Sequence, residues 1–472
     1  MAAPSAELTG CVDISLLLDR HAAERPNAPA LTVDDQTWSY AELHAHAGKA
    51  TSLLHDLGLG EGQIVALPMG NSLDQIALFH GAWRLGATPL PLPAAIPEAE
   101  LAAVTAAAGA SLVLRDGRAI SGQRPWSRQS RIARLLKAQA TGGSTGIPKV
   151  LIDHSTSEID LERDSMGYRF GDCLFLPGPT YHSGPMSHST EGIARGKHVI
   201  FMSRFDPAEA LALIARHRPH FALFVPTMMH RIMQLPQDVR DRADMSSLQR
   251  VWHTAAPCPA WLKQQWIDWI GGEAIWEIFG GSEGVAVTII NGTEWLAHPG
   301  SVGRVVGGEI AILDPAGQPV PTGEVGEIFM RNPVPNRMAY KGEVPRRMSG
   351  EWESFGDLGR FDEDGYLFLA DRRQDTIITG GQNVYPAEVE AAILRFPGVI
   401  DAAVFGQNND DLGEVVCALV CPGPEGVDEM ALREHLATQL VRYKLPRRFG
   451  FTTEPLRNDA GKVRRSTLKL PA

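Results

Sequence analysis

Apolar residues along the chain recur at two alternating periods. In residues 53–69, LLHDLGLGEGQIVALPM, a helical stretch passes through a Gly-rich turn into a continuous apolar run starting near Gln63. Residues 72–92, SLDQIALFHGAWRLGATPLPL, repeat the theme: an amphipathic helix, Gly86 as its stop, then a short strand. Residues 208–226, AEALALIARHRPHFALFVP, do so again, with FALFV as the strand. Helices alternating with fully apolar strands predict parallel sheets covered by helices, an α/β fold. Residues 115–140 break the pattern: polar, basic and rich in Ser, Arg and Gln, they predict an exposed connection.

The texture changes after DRRQDTIITGG, near residue 371. A helix opening at Pro386 (PAEVEAAILRF) precedes two strand-like runs, GVIDAAVFGQ and EVVCALVCP, and then a helix in DEMALREHLATQLV. The expected organisation is a large domain over residues 1–370 and a small α+β domain over residues 371–472.

A chain of 472 residues is too long for one ordinary core, which agrees with that division. The formal net charge of −11 argues against nucleic-acid binding as the main role. Five cysteines, an odd and scattered set, predict reduced thiols in a cytoplasm. Cys417 and Cys421 lie in the run VVCALVC, where strand alternation predicts core packing over a metal pair. The N-terminus has no basic start followed by a long apolar region, and no stretch reaches the roughly 18 apolar residues of a membrane span. A soluble cytoplasmic protein is expected.

Candidate chemistry begins with TGGSTGIPKV, residues 141–150. Backbone N–H groups of such a turn converge on anionic oxygens, and its hydroxyls and lysine add donors. It is not a Walker loop, because the lysine follows proline. Alone it reads equally well as a surface turn. EIFGGSEG, residues 277–284, joins an aromatic ring, paired glycines, a hydroxyl and a carboxylate; Glu283 suits a hard cation and Ser282 a phosphate. Asp357 in SFGDLGR and Arg372 near the expected domain junction suit the hydroxyls of a ribose. DEDG, residues 362–365, reads as a hairpin turn. Lys462, in NDAGKVRR, follows a glycine near the C-terminus.

TGGSTGIPK, IFGGSEG, FGDLGR, DRRQDTIITGGQNVYPAEVE and NDAGKVRR occur in that order, and together they resemble the successive motifs of the adenylate-forming superfamily. The likeness begins at RPNAPALTVDDQTWSYAEL and runs over nearly the whole chain; HTAAPCPAWLKQQWIDWIGG, YHSGP and YPAEVE look most like bacterial acyl-CoA synthetases. The resemblance implies a large N-terminal domain, a mobile C-terminal domain and two half-reactions. In the first, an acid attacks MgATP to give an acyl-adenylate and pyrophosphate. In the second, a thiol, usually of CoA, takes the acyl group.

Carried over by motif, Thr141, Gly142, Gly143, Ser144, Thr145, Gly146 and Lys149 would grip the phosphates. Phe279 and Gly280 would lie on adenine, with Ala255, Ala256 and Pro257 along its edge. Ser282 would meet phosphate, Glu283 and Thr145 would hold Mg²⁺, and Asp357 and Arg372 would bind ribose. Lys462 would neutralise charge developing as the carboxylate attacks. Tyr181, His182, Gly184, Met186 and Gly281 would line the acyl pocket, with His182 also counted among the catalytic residues. Gly380 and Gly381 would approach the pantetheine arm, and Gln374 stands at the hinge, where relatives carry Asp or Lys.

The partners so implied are a small-molecule acid and CoA, with a homodimer allowed. Two regions depart from the family pattern. Residues 151–170 are acidic and unusual, and Arg195 and Lys197 stand where relatives tend to be apolar. These departures keep other acceptors in play: a carrier protein, an amine forming an amide, or nitrite activation as in ATP-dependent diazotases.

Overall fold

The computed structural model describes residues 10–141, 149–163, 171–333, 338–341, 347–349, 351–372, 375–409, 412–458, 461–463 and 465–470. The expected alternation is present. The helix Leu73–Arg84 is capped by the Ser72 hydroxyl and followed by Gly86 at φ +74°, and the strand Thr88–Leu92 comes next. The helix Pro207–His217 starts from an Asp206 cap with proline in its first turn and feeds the strand Phe221–Phe224.

Six strands form a parallel block in the order Pro29–Val33, His198–Phe201, Cys173–Leu176, Phe221–Phe224, Arg250–His253 and Ile275–Gly280. Alternate residues of these strands enter two separate cores. Leu174, Leu176, Phe221 and Leu223 face one, while Phe175, Ala222 and Phe224 face the other. A sheet buried on both faces has no polar alternation, which is why its strands read as unbroken apolar runs. Beyond Ile275–Gly280 the sheet continues antiparallel through Val287–Asn291 and Ser301–Gly307 to Leu367–Arg372 and Asp357–Phe361.

A separate three-stranded antiparallel sheet joins Lys137–Thr141, Lys149–Asp153 and Met338–Lys341. Here residues 115–140 depart from the expected exposed connection. Most of 115–132 is exposed, but Ala133, Lys137, Ala138 and Gln139 are buried. A basic, Gln-containing stretch carries no apolar signal, so burial imposed by partners distant in sequence overrides its composition.

Residues 377–451 hold the small α+β unit. The helix Pro386–Ile393 packs on the hairpin Val399–Asn409/Gly413–Pro422, and both belong to a core of their own with Leu432 and Leu436. Cys417 is fully buried and Cys421 half-buried in one apolar cluster, as the alternation predicted. Residues 362–365 do form the hairpin turn, Gly365 N–H donating to the Asp362 carbonyl. Among the described residues no helix is long and apolar enough to cross a membrane.

Candidate active site

The motif residues leave the parallel block at one level. Phe224, His253 and Glu277 lie abreast in register, so residues 225–227, 254–257 and 278–283 emerge together from the carboxyl ends of neighbouring strands. The strand Cys173–Leu176 is paired on one side by the next strand in sequence and on the other by the one after. That makes residues 177–182 the topological switch point, the place where open α/β sheets bind ligands.

His182 occupies the cap position of the helix Ser183–Ala194, with its ring 4.6 Å from that of Tyr181. Gly184 faces the strand Phe221–Phe224, where an added Cβ would lie 3.0 Å from Leu223, and Met186 is buried. Ala255 has φ +76°, a left-handed backbone that costs an alanine roughly 1–2 kcal/mol. Ala255 and Pro257 are exposed and Ala256 is half-buried. The backbone at Ala255 is held against its preference.

Phe279 packs on Val285, Val302, Ile328 and Leu367 together with Phe355, two residues before Asp357. Gly280, Gly281 and Ser282 are exposed, and Gly284 N–H closes a turn onto the Gly281 carbonyl. The Glu283 carboxylate folds over Gly281, where any Cβ would fall 2.2 Å from it. Its other oxygen accepts a hydrogen bond from Tyr340 Oη. Tyr340 lies on Met338–Lys341, register partner of the strand opening at Lys149. Thr141 and Lys149 are themselves cross-strand partners, so the expected phosphate loop is the connection of this hairpin. Gly142, Gly143, Ser144, Thr145 and Gly146 lie outside the described residues, as does Gln374; of Thr141 and Arg372 the backbone alone is described. Sequence reading missed Tyr340. Its only signal was an aromatic in a short strand, MAYK.

Asp357 opens a strand directly after Gly356, whose φ of +87° makes the preceding bend. The small unit reaches the same edge. Lys462 sits in a loop closed by the Asn458 and Lys462 backbones (3.0 Å) and by Asn458 Oδ1 accepting from Lys462 N–H (2.9 Å). A Cβ on Gly461 would stand 3.1 Å from Thr227 Oγ1, so this loop rests on residues that follow Phe221–Phe224. Trp261 Nε1 donates to the Ala391 carbonyl (3.2 Å) and Gln234 Nε2 to that of Val399 (2.8 Å), which completes the docking. Arg457 holds the loop from within the small unit. Burial opposes its charge, yet Glu390 (2.9 Å) and Asp401 (2.8 Å) keep its pKa raised. Gly380 and Gly381, both at positive φ, form the two-residue turn between Ile377–Thr379 and Gln382–Val384.

Behind the site, Lys263 and Glu277 form a buried ion pair of 2.7 Å. His253, fully buried beside them, has its pKa lowered to about 4, first by burial.

Residues 18–140 and 133–339 match the AMP-binding enzyme family, and residues 388–462 match the AMP-binding enzyme C-terminal domain. The long-chain-fatty-acid–CoA ligase FadD13 of Mycobacterium tuberculosis is 28% identical over 97% of this chain and 98% of its own. The 2-succinylbenzoate–CoA ligase of Geobacillus kaustophilus is 28% identical over 96% of each. The o-succinylbenzoate CoA synthetase of Bacillus subtilis, solved with its acyl-adenylate, shares the fold at TM-score 0.80 and 23% identity, over 97% of this chain and 98% of its own. The chain therefore belongs to the AMP-binding enzyme family, with the two-domain α/β architecture of the adenylate-forming ligases.

Proposed function

We propose that the protein activates a carboxylic acid with ATP and passes the acyl group to CoA. The observation that carries this reading is the docking of the Lys462 loop on Thr227, at the sheet edge from which residues 278–283 also emerge. Phosphate-binding glycines alone would serve any nucleotide binder. A lysine delivered there by a second folding unit serves a step at the α-phosphorus.

In the first half-reaction an oxygen of the acid attacks the α-phosphorus, the bond to pyrophosphate breaks, and acyl-adenylate forms. Residues 141–149 hold the leaving phosphates through backbone amides and Lys149. Phe279 takes adenine on its face, with the backbone of Ala255, Ala256 and Pro257 at its edge. Asp357 and Arg372 fix the ribose, Ser282 meets the phosphate, and the Lys462 ammonium offsets charge that builds in the transition state. The glycine cradle under Glu283 and its hard oxygen ligand suit Mg²⁺, which Glu283 and Thr145 would hold and which neutralises phosphate charge when bound.

In the second half-reaction the thiol sulfur attacks the acyl carbon, AMP leaves, and the thiol proton passes to solvent. Gly380 and Gly381 then face the pantetheine arm, after rotation of residues 371–472 about Gln374. His182 and Tyr181, at the switch point, line the acyl pocket with Gly184, Met186 and Gly281. The five unpaired cysteines favour the cytoplasm, and the homodimer is tested by sedimentation.

Pyrophosphate release across a panel of acids, with and without CoA, tests the reading. Release with CoA-thioester formation is expected. Release without thioester on any acid would assign the second step to another acceptor.

A further inference from the structure

Two side chains next to the phosphate loop have no role in the steps above. Lys137 and Gln139 share one face of the strand Lys137–Thr141, while Ala138 and Ala140 pack on the other against Leu90, Val150 and Ile152. Lys137 is 4% exposed and Gln139 2%. Lysine is almost never buried unless its charge is paired. Among the described residues Nζ hydrogen-bonds to two hydroxyls, Ser187 Oγ at 2.5 Å and Ser183 Oγ at 3.2 Å. Neither the Nε2 nor the Oε1 of Gln139 has a hydrogen-bond partner among the described residues.

Asp153, the cross-strand partner of Lys137, is a carboxylate neighbour, but among the described residues no ion pair joins the two. Burial pushes the Lys137 pKa down, and Asp153 opposes this. His188, beside Ser187 on the helix and tilted against Phe221, is held neutral: burial, and then Lys137, push its pKa to about 3. Ser183 and Ser187 stand one turn apart on the helix that starts at His182. Ser187 is exposed and Ser183 half-buried, so the hydroxyls form the open side from which the amine is reached. The group is dominated by donors and lies between the strand entering the phosphate loop and the helix leaving the switch point. A buried ammonium without an anion is costly, and a bound oxyanion removes that cost.

We propose that Lys137, Gln139, Ser183 and Ser187 form a subsite for a second oxyanion of the substrate, the distal carboxylate of a dicarboxylic acid whose other carboxylate is adenylated. The subsite rests on the adenylation reading. It selects among acids by the far end of the molecule, with the two serines and the Gln139 amide orienting that carboxylate on the amine.

The test is ATP–pyrophosphate exchange with α,ω-dicarboxylic acids of four to eight carbons and the monocarboxylic acids of equal length. Wild type is expected to favour a diacid at least about tenfold in kcat/KM. Lys137→Met is expected to lose about 30-fold or more on that diacid, mainly through KM, with the monoacid unchanged or improved. Gln139→Leu is expected to shift the same ratio in the same direction, and Lys137→Arg to retain part of the preference. Exchange that ignores the second carboxylate in wild type overturns the subsite, as does an equal loss on both acids in Lys137→Met. No exchange with any acid overturns the adenylation reading, and the subsite with it.

Discussion

Asp357 and Arg372 are direct cross-strand partners, the first residue of one strand facing the last of its neighbour. Two residues fifteen apart in sequence thereby stand side by side in the backbone of one sheet. A carboxylate accepting from a sugar hydroxyl contributes about 1.5–3 kcal/mol. Asp357→Asn is therefore expected to raise KM for ATP about 10- to 100-fold in pyrophosphate exchange, with KM for the acid little changed. An unchanged KM for ATP would remove Asp357 from the nucleotide site.

Tyr340 joins Glu283 to the sheet that carries the phosphate loop. Tyr340→Phe is expected to slow adenylation about tenfold, from the loss of one hydrogen bond to a charged group, with partial recovery at raised Mg²⁺. Glu283→Gln should lose activity outright at any Mg²⁺ concentration. If Tyr340→Phe matched wild type at limiting Mg²⁺, the link would be only structural.

The Lys462 loop and the turn at Gly380–Gly381 belong to one small unit, and the proposed function gives them different half-reactions. Lys462→Ala should abolish adenylate formation and leave thioester formation from supplied adenylate largely intact. Gly381→Leu should do the reverse; its φ of +77° also makes the turn strained for any side chain. Equal loss of both half-reactions in either variant would refute the assignment, and single-turnover assays separate them.

The sequence made legible whatever depends on local pattern. The doubly covered parallel sheet appears as apolar runs such as FALFV, and the small unit as PAEVEAAILRF followed by two strands. Positions needing glycine, such as Gly380 and Gly381, also show themselves. What stayed hidden is set by partners far along the chain. Lys137 is buried by a helix more than forty residues on, so its segment read as an exposed connection. Tyr340 meets Glu283 only because Met338–Lys341 pairs with Lys149–Asp153. Ala255 carries no mark of its left-handed backbone, because alanine disfavours that conformation and is held in it by the surrounding structure.

Lys263 and Glu277 form a buried ion pair beneath the strand that leads into residues 278–283. Removing one partner strands the other, so Lys263→Met should cost about 3–5 kcal/mol in denaturant unfolding. The double variant Lys263→Met/Glu277→Met should recover most of that loss. A double variant no more stable than the single one would mean that the pair contributes more than mutual neutralisation.

Five buried imidazoles among the described residues oppose acid. Burial lowers His80 and His188 to about 3 and His220, His230 and His253 to about 4. Their unfolded values are about 6.5, so unfolding takes up protons between about pH 6.5 and 4. Stability is fully present above that window and falls as pH drops through it, by at most about 1.4 kcal/mol per pH unit for each histidine. Denaturation midpoints at pH 7.5, 6 and 5 should decline in that order. His253→Leu should flatten the slope at little cost, since among the described residues neither ring nitrogen of His253 has a hydrogen-bond partner.

The small unit is held to the large one through Trp261 and Ala391, Gln234 and Val399, and the seat of Gly461 on Thr227. Single hydrogen bonds to backbone carbonyls break readily, which suits the proposed rotation of the small unit between half-reactions. The seam is therefore a point of inhibition as well as of motion. A compound bridging Trp261 and the end of the helix Pro386–Ile393 would hold the enzyme after adenylation, with product bound and no route to the acceptor, while resembling neither ATP nor the acid.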